Sequence, residues 1–180
     1  MKRVKLWDKE FEISLPNADI QLAIKQIAIR MKKDLEGKQP LFICILNGAF
    51  MFASELMKEV ELTDAEISFL KLASYSGTSS TGEIKELIGL NEEITGRTVV
   101  VIEDIVDSGH TIKGVTDQLI NKGAKEVKIA TLLFKPDALK VKVNLDYVGI
   151  EIPNDFIVGF GLDYDRRGRN LKDIYTLVKG

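Results

Sequence analysis

Cysteine is nearly missing from this chain: among 180 residues only Cys44 is one, inside the apolar run L41-F42-I43-C44-I45-L46. A disulfide framework or a Cys-based zinc site within one chain is therefore excluded, and Cys44 reads as a small buried residue. Long apolar runs are missing as well. No window approaches the ~20 residues of a membrane span, and the opening M1-K2-R3-V4-K5-L6-W7-D8 lacks the apolar stretch of a signal peptide. The expectation is a cytoplasmic protein with no membrane partner. Excess positive charge is absent too: 25 Lys and Arg stand against 27 Asp and Glu, a net charge of −2. That weighs against a sequence-independent nucleic-acid binder, which usually shows a basic face. No repeat, low-complexity tract or Pro/Gly-rich linker divides the chain. What remains is ordinary globular composition, 45% apolar and 29% charged, enough for one domain over 1–180 with a substantial core.

Helical spacing runs from Asp19 to Leu35, with Ile20, Ala23, Ile24, Ile27, Ala28, Met31 and Leu35 on one face. Asn17 is its expected N-cap and Gly37 its stop. Leu41–Leu46, Ile67–Leu72, Val99–Ile102 and Val127–Phe134 read as strands, Ala49–Val60 and Thr111–Asn121 as helices. Tyr147–Ile150 and Phe156–Phe160 are shorter strands, and Ile84–Leu90 is a strand returning after the polar stretch S74-Y75-S76-G77-T78-S79-S80-T81-G82. Alternation of strand and helix predicts an α/β fold, a mostly parallel central sheet flanked by helices. Ligands of such sheets bind beyond the carboxyl ends of the strands. Asn47-Gly48, Glu103-Asp104 and Lys135 all fall at such ends.

The stretch V99-V100-V101-I102-E103-D104-I105-V106-D107-S108-G109-H110-T111 is the most informative in the chain. A helix begins at its end, where unpaired N–H groups and the positive end of the helix dipole face outward. Gly109 permits close backbone approach, and Ser108 and Thr111 add hydroxyls, which together make a phosphate cradle without the Walker lysine. An ordinary helix capped by Asp107 or Ser108 fits the same letters. Glu103 and Asp104 would repel a phosphate. They suit sugar hydroxyls beside it, or a magnesium ion between carboxylates and phosphates, or simply solvent. A phosphate next to a vicinal diol is a ribose 5-phosphate. Asp107 then lies near the sugar's reactive end, where a carboxylate acts as base or stabilises positive charge. D104-I105-V106-D107 lacks the D-x-D spacing of an aspartyl-phosphate hydrolase, and G159-F160-G161 lacks the third glycine of a dinucleotide loop.

That stretch resembles the phosphoribosyl-diphosphate signature of the type I phosphoribosyltransferases. I-L-N-G-A-F at 45–50, S-Y at 74–75, T-L-L-F-K at 131–135 and E-I-P-N-D-F-I-V-G-F-G-L-D-Y at 151–164 narrow the resemblance to the hypoxanthine-guanine members, in the expected order from about Leu6 to Val178. The resemblance implies transfer of a 5-phosphoribosyl group from its 1-diphosphate to a 6-oxopurine, with magnesium required and pyrophosphate released. It implies that Glu103 and Asp104 face the ribose diol and a magnesium ion, and that Asp107, Ser108, Gly109, His110 and Thr111 hold the 5-phosphate. Asp107 is then the base near the purine's imidazole nitrogen. Lys135 donates to the 6-oxo oxygen, Phe156 stacks on the base, and the Ile157 and Asp163 backbones read its edge. Asp163 also binds a second magnesium, and Arg169 grips the pyrophosphate. Asn47-Gly48 forms the other pyrophosphate loop, with the Leu46–Asn47 peptide cis, and Ser74-Tyr75 sits on a closing lid. His110 contributes its backbone N–H rather than its ring. The N-terminal segment and residues 151–180 are implied to form a small hood over the ligand edge, and the molecule to be a homodimer or homotetramer.

Asn47 departs from the pattern, since many relatives carry Lys or Arg there; it offers a neutral donor instead of a charge. A regulator that senses phosphoribosyl diphosphate on the same fold is the competing class, and an adenine, xanthine or pyrimidine enzyme the competing substrate choice. Asp107, Lys135, Asp163 and Arg169, all present, speak for the enzyme. Lys135 and Phe156 favour 6-oxopurines without ranking hypoxanthine, guanine and xanthine.

Overall fold

The structure, a computed structural model, describes residues 2–72 and 86–179. Its frame is a six-stranded sheet of β3 (Leu41–Leu46), β4 (Glu66–Leu72), β5 (Glu86–Ile88), β6 (Thr98–Val106), β7 (Glu126–Phe134) and β8 (Tyr147–Glu151), in the order β5-β4-β3-β6-β7-β8. Five strands are parallel and β5 joins the edge antiparallel to β4, as expected for a hairpin arm shorter than Ile84–Leu90. Helices α1 (Asn17–Leu35) and α2 (Phe50–Val60) cover one face, with Ile24, Ile27, Phe52 and Leu56 buried against Phe42, Val100 and Ala130. Helix α3 (His110–Asn121) covers the other, through Ile112, Val115 and Leu119 on Ile43, Val101 and Ile129. A sheet buried on both faces needs strands apolar throughout rather than alternating, which is why Leu41–Leu46 is a continuous apolar run.

The hood is a second sheet of four antiparallel strands in the order β1-β2-β10-β9: β1 (Arg3–Leu6), β2 (Lys9–Leu15), β9 (Ile157–Val158) and β10 (Ile174–Leu177). Phe11, Val158 and Tyr175 form its own small core. The N- and C-terminal segments thus do build the hood, as the resemblance implied. Phe156–Phe160 is narrower than expected, because the chain turns at Gly159.

Three local expectations need correction. Helix α1 begins at Asn17 itself, and Asn17 does not cap it: its amide side chain donates to the Lys172 carbonyl at 2.8 Å, while Asp173 Oδ1 accepts from the Asn17 backbone N–H at 2.9 Å. The cap arrives from the far end of the chain. Second, α3 is preceded by Gly109 in the left-handed conformation (φ +84°) and receives no side-chain cap, so the reading of Asp107 or Ser108 as an ordinary cap fails. Third, β6 does not stop at Ile102. It runs to Val106, so Glu103 and Asp104 lie inside the strand, not beyond its end.

Candidate active site

The two acids interrupt the pleat of β6. Ile102 and Ile105 both pack in the α1–α2 core, and Val101 and Val106 both in the α3 core. Regular alternation sends residues an odd number apart to opposite faces, so the alternation slips across Glu103–Asp104. The neighbouring strand slips with it: Leu132 and Leu133 both enter the α1–α2 core, and the buried Thr131 hydroxyl, opposite Glu103 in register, donates to the Leu133 carbonyl at 2.8 Å. The slip seats two carboxylates side by side in the ligand half of the sheet. Asp104 Oδ1 accepts from the Ile105 N–H at 2.8 Å, and Glu103 Oε1 from the Asp104 N–H at 3.3 Å. Burial raises both carboxyls above the usual range, and the Asp104 charge pushes Glu103 up further. Nearby Cys44 is pushed up to about 12, by burial first and then by these two acids; its thiol is a buried, unreactive filler, as its place in the sequence implies.

Gly48, just past the end of β3, lies so close to the Asp104 carboxylate that a Cβ there would overlap it. The Gly161 backbone in turn packs on the Gly48 carbonyl, closer than any Cβ at 161 would permit. Arg169 Nη1 donates to the Gly161 carbonyl and Nη2 pairs with Asp163 Oδ1, both at 2.7 Å, and Asp163 Oδ2 also accepts from the Arg166 N–H at 2.6 Å. Asn47, Gly48, Asp104, Gly161, Asp163 and Arg169 therefore form one contiguous rim, in which the Leu46–Asn47 peptide is cis, as the resemblance implied.

The second group lies where β6 and β7 end. Lys135 is 8% exposed, and its Nζ stands 3.5 Å from Asp107 Oδ2. Its backbone N–H donates to the Val106 carbonyl at 3.0 Å, which ties the two strand ends together. Asp107, His110 and Thr111 are exposed around the uncapped start of α3. The His110 ring is turned to the Ser108 hydroxyl, Nδ1 to Oγ 3.1 Å. Residues 139–141 back this loop, with the Lys140 N–H donating to the Ser108 carbonyl at 3.0 Å. Such an N-terminus offers free N–H donors to an anion.

Phe156 is 47% exposed rather than core, and Ile157, the first residue of β9, is buried beside it. The segment reaches the site because the Ile152 N–H donates to the Phe134 carbonyl at 2.8 Å, next to Lys135. Ser74 and Tyr75 lie outside the described residues. Among the described residues no three acidic, Cys or His side chains gather as a metal-binding cluster. Tyr164, whose ring meets Phe156 edge-on at 6.0 Å, is a contact that the sequence reading missed; its only signal was its place next to Asp163.

A paired-carboxylate strand leading to an uncapped helix, with a buried lysine at the adjoining strand end, defines a class. The family described as phosphoribosyl transferase domain matches residues 15–165, and the chain belongs to it. Within it the similarity runs to the hypoxanthine-guanine phosphoribosyltransferases. The chain is 44% identical over 167 residues to the hypoxanthine-guanine phosphoribosyltransferase of Streptococcus thermophilus, covering 92% of each chain. It is 39% identical to a crystal structure of a hypoxanthine phosphoribosyltransferase from Staphylococcus aureus, with a TM-score of 0.88 over 93% of this chain and 91% of that one. A structure of the Trypanosoma cruzi hypoxanthine phosphoribosyl transferase, from work on the role of its C-terminal region in oligomeric state and activity, gives 29% identity and a TM-score of 0.86 over 97% and 95%.

Proposed function

We propose that this chain transfers the 5-phosphoribosyl group of 5-phospho-α-D-ribose 1-diphosphate to hypoxanthine and guanine, a purine-salvage reaction giving IMP or GMP and pyrophosphate. One observation carries the reading: the nearly buried Lys135 ammonium is held 3.5 Å from Asp107 at the mouth of the phosphate loop. A buried cation beside a carboxylate offers one donor and one acceptor to a single planar ligand. Lys135 donates to the 6-oxo oxygen of the base, which disfavours a 6-amino group. Asp107 accepts the proton of the imidazole nitrogen beside the 6-oxo group as the other imidazole nitrogen bonds to the anomeric carbon and pyrophosphate departs. Phe156 stacks on the base, with the Ile157 and Asp163 backbones at its edge.

The 5-phosphate sits on residues 107–111 at the start of α3, and the diol faces Glu103 and Asp104. Pyrophosphate lies between the Asn47-Gly48 loop and Arg169, whose cation balances the leaving charge. Ser74-Tyr75 belongs to the segment that covers the reacting centre. The donor set fits magnesium: buried Glu103 and half-buried Asp104 are hard oxygen donors whose carboxyls desolvation raises, and a divalent charge favours their ionised forms. Asp163 offers one oxygen ligand to a second ion. Bound magnesium supplies charge neutralisation of the diphosphate.

Residues 1–180 act as one domain on this reading, in the cytoplasm; no helix among the described residues is long and apolar enough to cross a membrane. The chain works as a homodimer or homotetramer. Ile67 and Phe69, two residues apart on β4 and 41% and 44% exposed, are an apolar face of the kind subunit contacts cover. The test is pyrophosphate release with phosphoribosyl diphosphate, magnesium and hypoxanthine, guanine, xanthine or adenine in turn. Turnover of hypoxanthine and guanine but not adenine is expected. Tight phosphoribosyl-diphosphate binding without turnover of any base would point instead to a sensor.

A further inference from the structure

Tyr164 plays no part in the chemistry above, yet it is held from several sides. Its phenol donates to Asp8 Oδ1 at 2.8 Å, and the Lys9 ammonium lies 5.5 Å from its ring centre. The shared proton holds the Asp8 carboxyl below, and the Tyr164 phenol above, their usual ranges. Its backbone closes a turn with Arg167 through two hydrogen bonds, of 2.9 and 3.0 Å, and the Arg167 guanidinium stands 5.1 Å from the Trp7 ring. Trp7 and Asp8 of the β1–β2 turn and Lys9, the first residue of β2, thus grip one loop.

That loop supports Phe156. The Phe156 ring meets Tyr164 at 6.0 Å and 88°, and Phe11 at 6.2 Å and 42°. Phe11 is fully buried and fixed by the hood core. The residue is 47% exposed, so these two ring contacts bear on its orientation, and an edge-on aromatic contact orients as well as attracts.

We propose that Tyr164, gripped by Asp8 and Lys9, is a positioning residue for the purine: it fixes the Phe156 ring in the orientation that stacks on the base. The inference rests on Phe156 stacking on the base, as argued above. It makes the β1–β2 turn, which precedes the stretch of residues 15–165 matched by the family, a part of base recognition. The pyrophosphate side has its own anchors, the Gly161 carbonyl for Arg169 and the Arg166 N–H for Asp163, and neither involves the Tyr164 side chain.

The test compares Tyr164→Leu, Tyr164→Phe, Asp8→Ala and Phe156→Leu by steady-state kinetics, varying each substrate at saturation of the other, with a melting curve for each variant. Tyr164→Leu is expected to raise KM for hypoxanthine about threefold to tenfold, the scale of one aromatic contact, with kcat and KM for phosphoribosyl diphosphate changed less than about twofold. Asp8→Ala, at an exposed turn position, and Tyr164→Phe each move the same constant in the same direction, and combining them adds little. If Phe156→Leu raises KM for hypoxanthine while Tyr164→Leu and Asp8→Ala leave it unchanged, the positioning role is wrong and the stacking stands. Equal rises in both KM values with a lowered melting temperature would mean a merely structural role and also overturn it. If Phe156→Leu leaves KM for hypoxanthine unmoved, the stacking itself fails and the proposal with it.

Discussion

On the proposed function Lys135 carries the substrate distinction, and its burial makes it a sharp test. Removing a charged donor from a site closed to water costs about 1.5–3 kcal/mol. Lys135→Ala should therefore lower kcat/KM for hypoxanthine about 10- to 100-fold while the dissociation constant for phosphoribosyl diphosphate, measured by calorimetry, moves less than about threefold. Glu103 behaves differently. Its folded-state carboxyl titrates above its unfolded value, so its contribution is most favourable at low pH and is lost as pH rises through the folded value. Glu103→Gln should consequently melt higher than the parent, without ligand, at about pH 7–8. The gap should close near about pH 4, where the unfolded carboxyl also protonates. The same variant should lose activity with magnesium and both substrates present. A residue that destabilises the empty protein and serves the loaded one is a functional group placed at a cost to the fold.

At the scale of elements, the slip in β6 and the close approach of the β3 loop meet at one point, where Asp104 lies against the Gly48 backbone. Gly48→Ala puts a methyl group where the Asp104 carboxylate sits, and a displacement on the order of 1 Å in an active site costs about 100-fold in rate. We expect that loss in kcat with a small fall in melting temperature, checked by turnover assays and calorimetry. These elements also mark what could be read in the letters. A continuous apolar run announced β3, and the helical face of α1 was plain. The end of β6 was concealed because acids inside a strand look like acids after one; only the paired slip of β7 makes room for them. Strands β1 and β2 went unread as strands although Phe11, Ile13 and Leu15 alternate with Glu10, Glu12 and Ser14. Neither carries a motif, and their pairing with β10 joins segments far apart in sequence, which no local pattern encodes. The candidate site residues were legible because the resemblance ties residue type to spacing. Tyr164 was not, since its partners are Asp8 and Lys9, at the other end of the chain.

At the scale of the whole molecule, Asp173 ties the hood to helix α1, beside the apolar contacts that Ile157 and Ile174 make with the main core. This carboxylate is 5% exposed, caps α1 through the Asn17 N–H, pairs with the Lys2 ammonium at 3.0 Å and accepts from the Tyr175 hydroxyl at 3.2 Å. Its carboxyl is held below the usual range, by Lys2 first and then by the Asn17 N–H. A lowered value means stability present above the unfolded value of about 4 and lost as pH falls through the folded one, the opposite sign from Glu103. Asp173→Asn should cost about 1–2 kcal/mol at pH 7, the scale of a lost cap. The deficit relative to the parent should shrink in denaturant titrations as pH falls below about 4.

The strand order of the hood has a consequence for how the molecule is made. β10 lies between β2 and β9, so the β1–β2 hairpin, synthesised first, has no lasting partner until all six strands of the larger sheet have been translated. On the proposed function, a ribosome-bound chain can close the phosphate loop while the rings and the arginine of the base and pyrophosphate side still wait for residues 174–177. The site is then completed last, by the strand that joins the two ends of the chain.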